Sequence, residues 1–267
     1  MIKLIAIDLD GTLLRTDKSL SEENINAIHY AQSKDIKVVL CTGRPYLAMK
    51  DFAENIGFDG DDEYLVVFNG SQVIKANTEE VVVNDVVETS DLERWYEETE
   101  RLNLPLNPID SEWVYDPIAY PDGKESTYTT PAPRKTVNYH DFEADHTFNK
   151  FVICTVEDYL NEQLPKIDKD LLEEYQTVLS HPYQLEIGKI NVNKGNALIK
   201  LGQQLNIKPE EMMTIGDQNN DQTMIDMAGY GVAMGNAVQE IKDSASYITD
   251  TNDNDGIWKA LKEMKAI

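Results

Sequence analysis

Near its start the chain carries Asp8-Leu9-Asp10-Gly11-Thr12, two carboxylates two residues apart with a glycine behind them. A glycine at that place lets the backbone turn, so that both side chains approach one point. One carboxylate of such a pair can attack an electrophile and form a covalent intermediate, while the other gives and takes a proton. Further along stand Thr42-Gly43-Arg44, Lys194-Gly195 and the run Gly216-Asp217-Gln218-Asn219-Asn220-Asp221. Asp8, Asp10 and Asp217 form an oxygen-rich set suited to a hard cation. Magnesium favours a few carboxylates, several waters and a substrate phosphate. The Lys194 ammonium, the Thr42 hydroxyl, the Asn220 amide and nearby backbone N–H groups suit the oxygens of a phosphoryl group. Taken singly, each stretch also reads as something ordinary: a capping turn, a solvated lysine, an acidic or calcium-like loop. Their order and their placement at strand ends give them weight together.

That placement follows from the hydrophobic pattern. Ile2 to Ile7 is a short, nearly continuous apolar run, as in a strand buried on both faces, and it ends at Asp8. Ser21 is a good helix N-cap, with Leu20 and Ile25 spaced as a hydrophobic staple. Ile36 to Cys41 predicts a second strand ending at Thr42, with Pro45 in the first turn of the next helix. Tyr64 to Phe68 predicts a third, stopped by Asn69-Gly70. Val81 to Val83 and Val86-Val87 suggest a further strand or hairpin arm. After residue 187 the alternation returns: a helix over Lys194 to Leu205, a strand over Met212 to Ile215, a helix capped by Asp221 and stopped at Gly229, and short strands over Tyr230 to Met234 and Tyr247 to Thr249. Strands alternating with helices predict a parallel, Rossmann-like α/β sheet, whose ligands bind beyond the carboxyl ends of the strands.

Between these two parts the rhythm changes. Residues 87–187 are richer in tyrosine, proline and acidic residues, with helices expected over Asp91 to Leu102 and Glu157 to Lys166 and strands over Lys150 to Thr155 and Thr177 to Leu179. The expected organisation is a core formed by residues 1–86 and 188–267, with an α+β module inserted between them.

Composition excludes several classes. With 41% hydrophobic residues the chain can bury a real core, so it is globular and not disordered. A net charge of −24 should repel nucleic acid and anionic membrane. The same charge means that an anionic substrate must be held by a metal or by local cations. The two cysteines, Cys41 and Cys154, form no CxxC pair, so neither a disulfide framework nor a zinc site is suggested. The apolar N-terminal segment is too short for a signal peptide, and no stretch approaches the ~18 apolar residues of a membrane span. A cytoplasmic protein is expected; its oligomeric state is not legible.

The four stretches resemble the motifs of the haloacid dehalogenase-like superfamily. Asp8 to Thr12 resembles the first motif, Thr42-Gly43-Arg44 the second as found in the Cof-type branch, Lys194-Gly195 the third and Gly216 to Asp221 the fourth. The insertion lies between the second and third motifs, which resembles Cof-type phosphatases with a subclass IIB cap. The resemblance implies a magnesium-dependent phosphatase acting on small phosphorylated metabolites such as sugar phosphates. Asp8 would be the nucleophile and Asp10 the acid and base. Asp8, the Asp10 backbone carbonyl and Asp217 would hold magnesium, with Asp221 in support. Leu9 (through its backbone), Thr42, Gly43, Lys194 and Asn220 would hold the phosphoryl group, and Arg44 would touch substrate or orient its loop. Two positions depart from the family pattern: Asp35 and Asn191 stand where glycine is usual, and both residue types tolerate left-handed backbone. A phosphotransferase or mutase with the same intermediate is the nearest alternative. A phosphate-responsive regulator of the receiver type, or a non-catalytic acidic binding protein, stands further off. In the module, Tyr115, Tyr120, His140, His146, His181 and Tyr183 are candidate substrate contacts.

Overall fold

The computed structural model describes residues 1–58, 60–121, 124–130 and 132–266. It divides into two compact units, Met1–Asn84 with Asn193–Ile267, and Asp85–Val192. The junctions expected from sequence, 86/87 and 187/188, fall inside the second unit. Val87 belongs to a short strand paired within that unit, and its last long strand continues to Lys189.

The first unit opens with β1 (Leu4–Asp8), α1 (Glu22–Gln32), β2 (Lys37–Cys41), α2 (Leu47–Asn55), β3 (Glu63–Val67), β4 (Gln72–Lys75) and β5 (Val81–Asn84). The second unit holds β6 (Val87–Glu88), α3 (Thr89–Arg101), β7 (Asn107–Ile109), β8 (Val114–Pro117), β9 (Arg134–Val137), β10 (Thr147–Phe148), β11 (Lys150–Cys154), α4 (Glu157–Gln163), α5 (Lys169–Glu174), β12 (Tyr175–His181) and β13 (Gln184–Lys189). The chain then returns with α6 (Lys194–Leu205), β14 (Met212–Gly216), α7 (Gln222–Met227), β15 (Tyr230–Ala233), α8 (Gln239–Ser244), β16 (Tyr247–Ile248) and α9 (Gly256–Glu263).

The first unit is built on one sheet of order β16-β15-β14-β1-β2-β3-β4-β5. From β16 to β3 all neighbours are parallel. β4 and β5 are antiparallel additions at the edge of the expected parallel sheet, β5 covering the strand expected over Val81 to Val83. Consecutive strands run outward from β1 in one direction and from β14 in the other. The point where the order reverses therefore lies between β1 and β14, and sheets of this kind bind ligands beyond the carboxyl ends of the strands at that point. Every residue of β1 is buried, which is why it reads as an unbroken apolar run. Side chains alternate faces along a strand, so Leu4, Ala6 and Asp8 share one. Leu4 and Ala6 pack there with Ala197, Leu198 and Leu201 of α6. The same alternation that buries Leu4 therefore aims Asp8 at the helix that begins with Lys194.

Local signals hold up at the termini that matter. The Ser21 hydroxyl accepts from the backbone N–H of Asn24 at the start of α1. The Asn193 side chain accepts from the N–H of Asn196 and caps α6, and Asn206 closes that helix in the left-handed conformation. Asp35 and Asn191 both have left-handed backbone, φ 61° and 63°. Asp221 departs from expectation. It stands at the N-cap position of α7, but its side chain makes no capping bond there and is used elsewhere.

The second unit is an α+β module, with a six-stranded sheet of order β12-β13-β11-β7-β8-β9 and a two-stranded pair, β6 with β10. Its core gathers Trp95 of α3, Leu160 of α4 and Leu171 of α5 against Phe151, Ile153, Leu185 and Ile187. Val86-Val87 is thus no arm of the core hairpin, since Val87 pairs with Phe148. Among the described residues, no helix is long and apolar enough to cross a membrane.

Candidate active site

Lys194 is the first residue of α6 and is fully buried. Its ammonium donates to Asp8 Oδ1 and to Asp221 Oδ1, each at 2.6 Å. Burial alone would push the Lys194 pKa down, but Asp8 and Asp221 override it and push it up, so the side chain is a cation. The other Asp221 oxygen accepts from the backbone N–H groups of Asp217 and Gln218, at 2.9 and 3.0 Å. Both oxygens of Asp221 are thus engaged, one bracing the lysine and one shaping the loop after β14. Gly216 is needed for that shape, because a Cβ there would lie 2.6 Å from the Asp221 side chain.

Asp217 follows β14 and is buried beside β1. It accepts from the Thr12 hydroxyl at 3.0 Å and from Gln218 Nε2 at 3.1 Å. Oxygens of Asp8, Asp217 and Asp221 lie within 4.8 Å of one another, the one such acidic group among the described residues. Burial, then the charge of Asp221, raise the Asp8 carboxyl well above its ordinary range against the pull of Lys194. Burial and Asp221 raise Asp217 as well. Three buried carboxylates facing one ammonium leave an excess of negative charge that a further cation would relieve.

Gly11 turns the chain after Asp10 with φ +89°, and a Cβ at that position would come 2.5 Å from Asp217 Oδ2. The turn carries the Asp10 side chain out of the buried cluster. There the Arg44 guanidinium grips it in a fork, Nε to Oδ2 at 2.9 Å and Nη2 to Oδ1 at 2.6 Å, and the Lys18 ammonium adds a third contact at 3.0 Å. Burial would raise the Asp10 carboxyl, but the bonds from Arg44 and Lys18 leave it below the ordinary range. The two acids of the motif therefore stand in opposite environments.

Leu9 is fully buried between them, and its carbonyl accepts from the N–H of Leu14. Thr42 is buried at the end of β2, where its hydroxyl accepts from the N–H of Arg44 at 3.1 Å. Gly43 lies against Asn69, whose amide a Cβ at 43 would approach to 3.1 Å. Asn220 is exposed, and its Nδ2 donates to Asn69 Oδ1 at 3.1 Å. The structure brings Asp8, Lys194, Asp217 and Asp221 into direct or near contact, and ties Asp10 to Arg44. Thr12, Lys18, Gln218 and Asn69 join the site through contacts that no motif in the sequence marks. Thr12 stands within the first motif, and Asn69-Gly70 reads in the sequence only as a strand stop.

A sequence model of the haloacid dehalogenase-like hydrolases matches residues 5–261. The chain belongs to that family. It is 33% identical over 268 residues to the 5-amino-6-(5-phospho-D-ribitylamino)uracil phosphatase YcsE of Bacillus subtilis (strain 168), covering 98% of this chain and 95% of that one. It is 31% identical over 291 residues to the phosphatase YwpJ of the same organism, covering 98% and 100%. The crystal structure of a haloacid dehalogenase-like hydrolase from Bacteroides thetaiotaomicron matches with a TM-score of 0.83 at 27% identity, over 99% of this chain and 100% of that one. The protein is thus a Cof-type member of that family, and an enzyme of the phosphoric monoester hydrolase class. Membership sets aside the receiver-type regulator and the acidic binding protein.

The geometry of Lys194 has a consequence for stability. Replacing it by Met leaves Asp8 and Asp221 buried without their cation, and removing one partner of a buried ion pair costs about 3–5 kcal/mol. In the variant the Asp8 pKa rises further above its unfolded value. The folded state then binds more protons than the unfolded one, and stability falls as pH rises. Urea unfolding of Lys194→Met should show a deficit of that size at pH 7 and a clearly smaller one at pH 5. Equal deficits at both pH values would show that the lysine is not compensating Asp8.

Proposed function

We propose that the protein is a magnesium-dependent phosphatase of small phosphorylated metabolites, working through an aspartyl phosphate on Asp8. The observation that carries this reading is the opposite treatment of two neighbouring acids. Asp8 is fixed and buried at the strand end, and Asp10 is turned out onto Arg44 and Lys18. Asp8, held in place by Lys194, can present its second oxygen to phosphorus, and Asp10, outside the buried cluster, can reach a leaving oxygen or a water.

Lys194 binds Asp8 Oδ1, so attack falls to the other oxygen, Oδ2. As the Asp8 oxygen bonds to phosphorus, the bond to the leaving oxygen breaks and Asp10 donates its proton there, releasing the alcohol. Water then attacks phosphorus and gives its proton to Asp10, while the phosphorus–oxygen bond to Asp8 breaks and inorganic phosphate leaves. The second half uses Asp10 as a carboxylate, the form that Arg44 and Lys18 favour. The first half needs both cations to disengage from it, and the incoming phosphate is a competing acceptor. Thr42, the Gly43 and Leu9 backbone, Lys194 and Asn220 supply donors for the phosphoryl oxygens.

The donor set fits magnesium, because hard oxygen ligands and surplus buried negative charge are what it favours. Asp8, Asp217 and the Asp10 backbone carbonyl would hold it, with Asp221 behind. Bound there, it would draw charge from the transferring phosphoryl oxygens. Ligand at 100 times its Kd stabilises a protein by about 2.7 kcal/mol. Millimolar magnesium should therefore raise the thermal midpoint measured in chelator, and Asp217→Ala should abolish the rise. Full turnover in chelator with no magnesium-induced shift would refute the metal.

Substrate choice is assigned to the module of residues 85–192. A cavity of about 550 Å³ in it is lined by Asp116, Tyr120, Tyr128, Thr130, Arg134 and Thr136, a hydroxyl-rich set suited to a sugar or polyol chain. The ribityl group in the name of the YcsE relative is a chain of that kind. Of the other aromatic candidates, Tyr115 is buried with its hydroxyl on Asp110, and His181 stacks on Tyr183 at 5.2 Å. Across a panel of phosphorylated sugars and polyols, Tyr120→Phe should reorder kcat/KM and leave the metal requirement intact. An unchanged ranking would remove this cavity from substrate selection.

Rapid-quench kinetics separate the two acids. Asp8→Asn should form no phosphoenzyme and lose the chemical step. Asp10→Asn should slow turnover by about 10²–10⁴-fold, the usual share of general acid–base catalysis. An aryl phosphate needs little leaving-group protonation. With it, Asp10→Asn should release the aryl alcohol in a burst and accumulate phosphoenzyme seen by intact mass; with an alkyl phosphate it should show no burst. Phosphorylation of Asp8→Asn, or parent-like turnover of both substrates by Asp10→Asn, would overturn the assignment.

A further inference from the structure

Directly after β3 the backbone does something costly. Phe68, Asn69 and Gly70 take positive φ in succession, at 50°, 55° and 106°. Left-handed backbone is unfavourable for an ordinary L-residue, and Phe68, a buried aromatic, has no local side-chain bond to offset it. Strain of this kind persists where the surrounding structure over-determines it. Here the surroundings are three of the four motif loops.

The N–H of Phe68 donates to the carbonyl of Arg44, and that of Asn69 to the carbonyl of Thr42, both at 3.0 Å. These bonds close the Thr42–Arg44 loop onto the turn. Gly70 lies so near the start of α6 that a Cβ on it would sit 2.3 Å from the carbonyl oxygen of Asn193, the residue before Lys194. The Asn69 side chain completes the set by taking the Asn220 amide at 3.1 Å. An amide NH₂ has two hydrogens. With one given to Asn69, the Asn220 amide plane is fixed and the second hydrogen points in a set direction.

We propose that Asn69 is a positioning residue for phosphoryl binding: its side chain orients the Asn220 amide, while its left-handed backbone seats the Thr42–Gly43 loop. This rests on the reading of Asn220 and Thr42 as phosphoryl ligands. Asparagine suits both tasks. It accepts a hydrogen bond at short reach, and it is among the few non-glycine residues that tolerate this backbone.

Asn69→Gly keeps the left-handed backbone and removes only the amide. It should raise KM and the inhibition constant of inorganic phosphate by about five- to tenfold, the size of one net hydrogen bond. Its kcat should stay within about twofold and its thermal midpoint should stay near the parent's, since the left-handed strain that glycine relieves offsets the freedom it adds to the unfolded chain. Asn220→Ala should show a similar loss. The double variant should be no worse than Asn220→Ala alone, because two residues acting through one contact are not additive. Phosphate inhibition unchanged in Asn69→Gly, or losses that multiply in the double variant, would overturn the proposal. A fall in kcat that tracks a lower thermal midpoint would also overturn it, by making Asn69 merely structural. A parent enzyme that neither binds phosphate nor hydrolyses any phosphate ester would instead overturn the underlying reading.

Discussion

One buried ammonium holds this site together. Lys194 joins Asp8, 186 residues away in sequence, to Asp221, 27 residues away, with no water-exposed side chain in the triad. Each partner would be expensive alone in such surroundings, since an unpaired buried charge costs several kcal/mol. The arrangement is therefore all or nothing: β1, the start of α6 and the loop after β14 must meet in register for any of the three groups to be tolerable. The parallel pairing of β1 with β14, and the packing of Leu4 and Ala6 against α6, are the means by which they meet. In this sense the core's apolar packing and the site's polar chemistry are one constraint seen from two sides.

Around that centre, environment divides labour between residues of the same type. Asp8, Asp10, Asp217 and Asp221 are all aspartates within two short motifs. One is braced by a lysine, one is forked by an arginine, one takes a threonine hydroxyl and one has both oxygens spent on lysine and backbone. The glycines decide which is which. Gly11 swings Asp10 out of the cluster, and Gly216 admits the Asp221 side chain beneath the loop. Arg44, Lys18 and Lys194 are concentrated where the strands end, but the four aspartates outnumber them, so in a chain of net charge −24 an anionic ligand there calls for a further cation.

Much of this was readable from residues alone. α6 was expected over Lys194 to Leu205 and is found there, because its leucines at 198, 201 and 205 repeat on one face over a full-length helix. The core strands were legible because strands buried on both faces are unbroken apolar runs. The strand-end positions of Asp8, Thr42 and Asp217 followed from them. What could not be read has physical causes. β7 and β8 are three and four residues long, and each contains a proline, Pro108 and Pro117, so period-two alternation never develops. The fork from Arg44 to Asp10 spans 34 residues and has no periodic signature. Asn69-Gly70 looks like any strand stop, and only three-dimensional contact shows what the turn is holding.

The inserted unit ends at Val192, and the next two residues are the cap of α6 and the lysine that braces the nucleophile candidate. A change in the length of the module can be absorbed up to that point and hardly beyond it. A return one residue late would have rotated the first turn of α6 by about 100° and carried the ammonium away from β1. The module is thus an exchangeable part with a fixed seam, because any change within it must still deliver Asn193 and Lys194 to the same place.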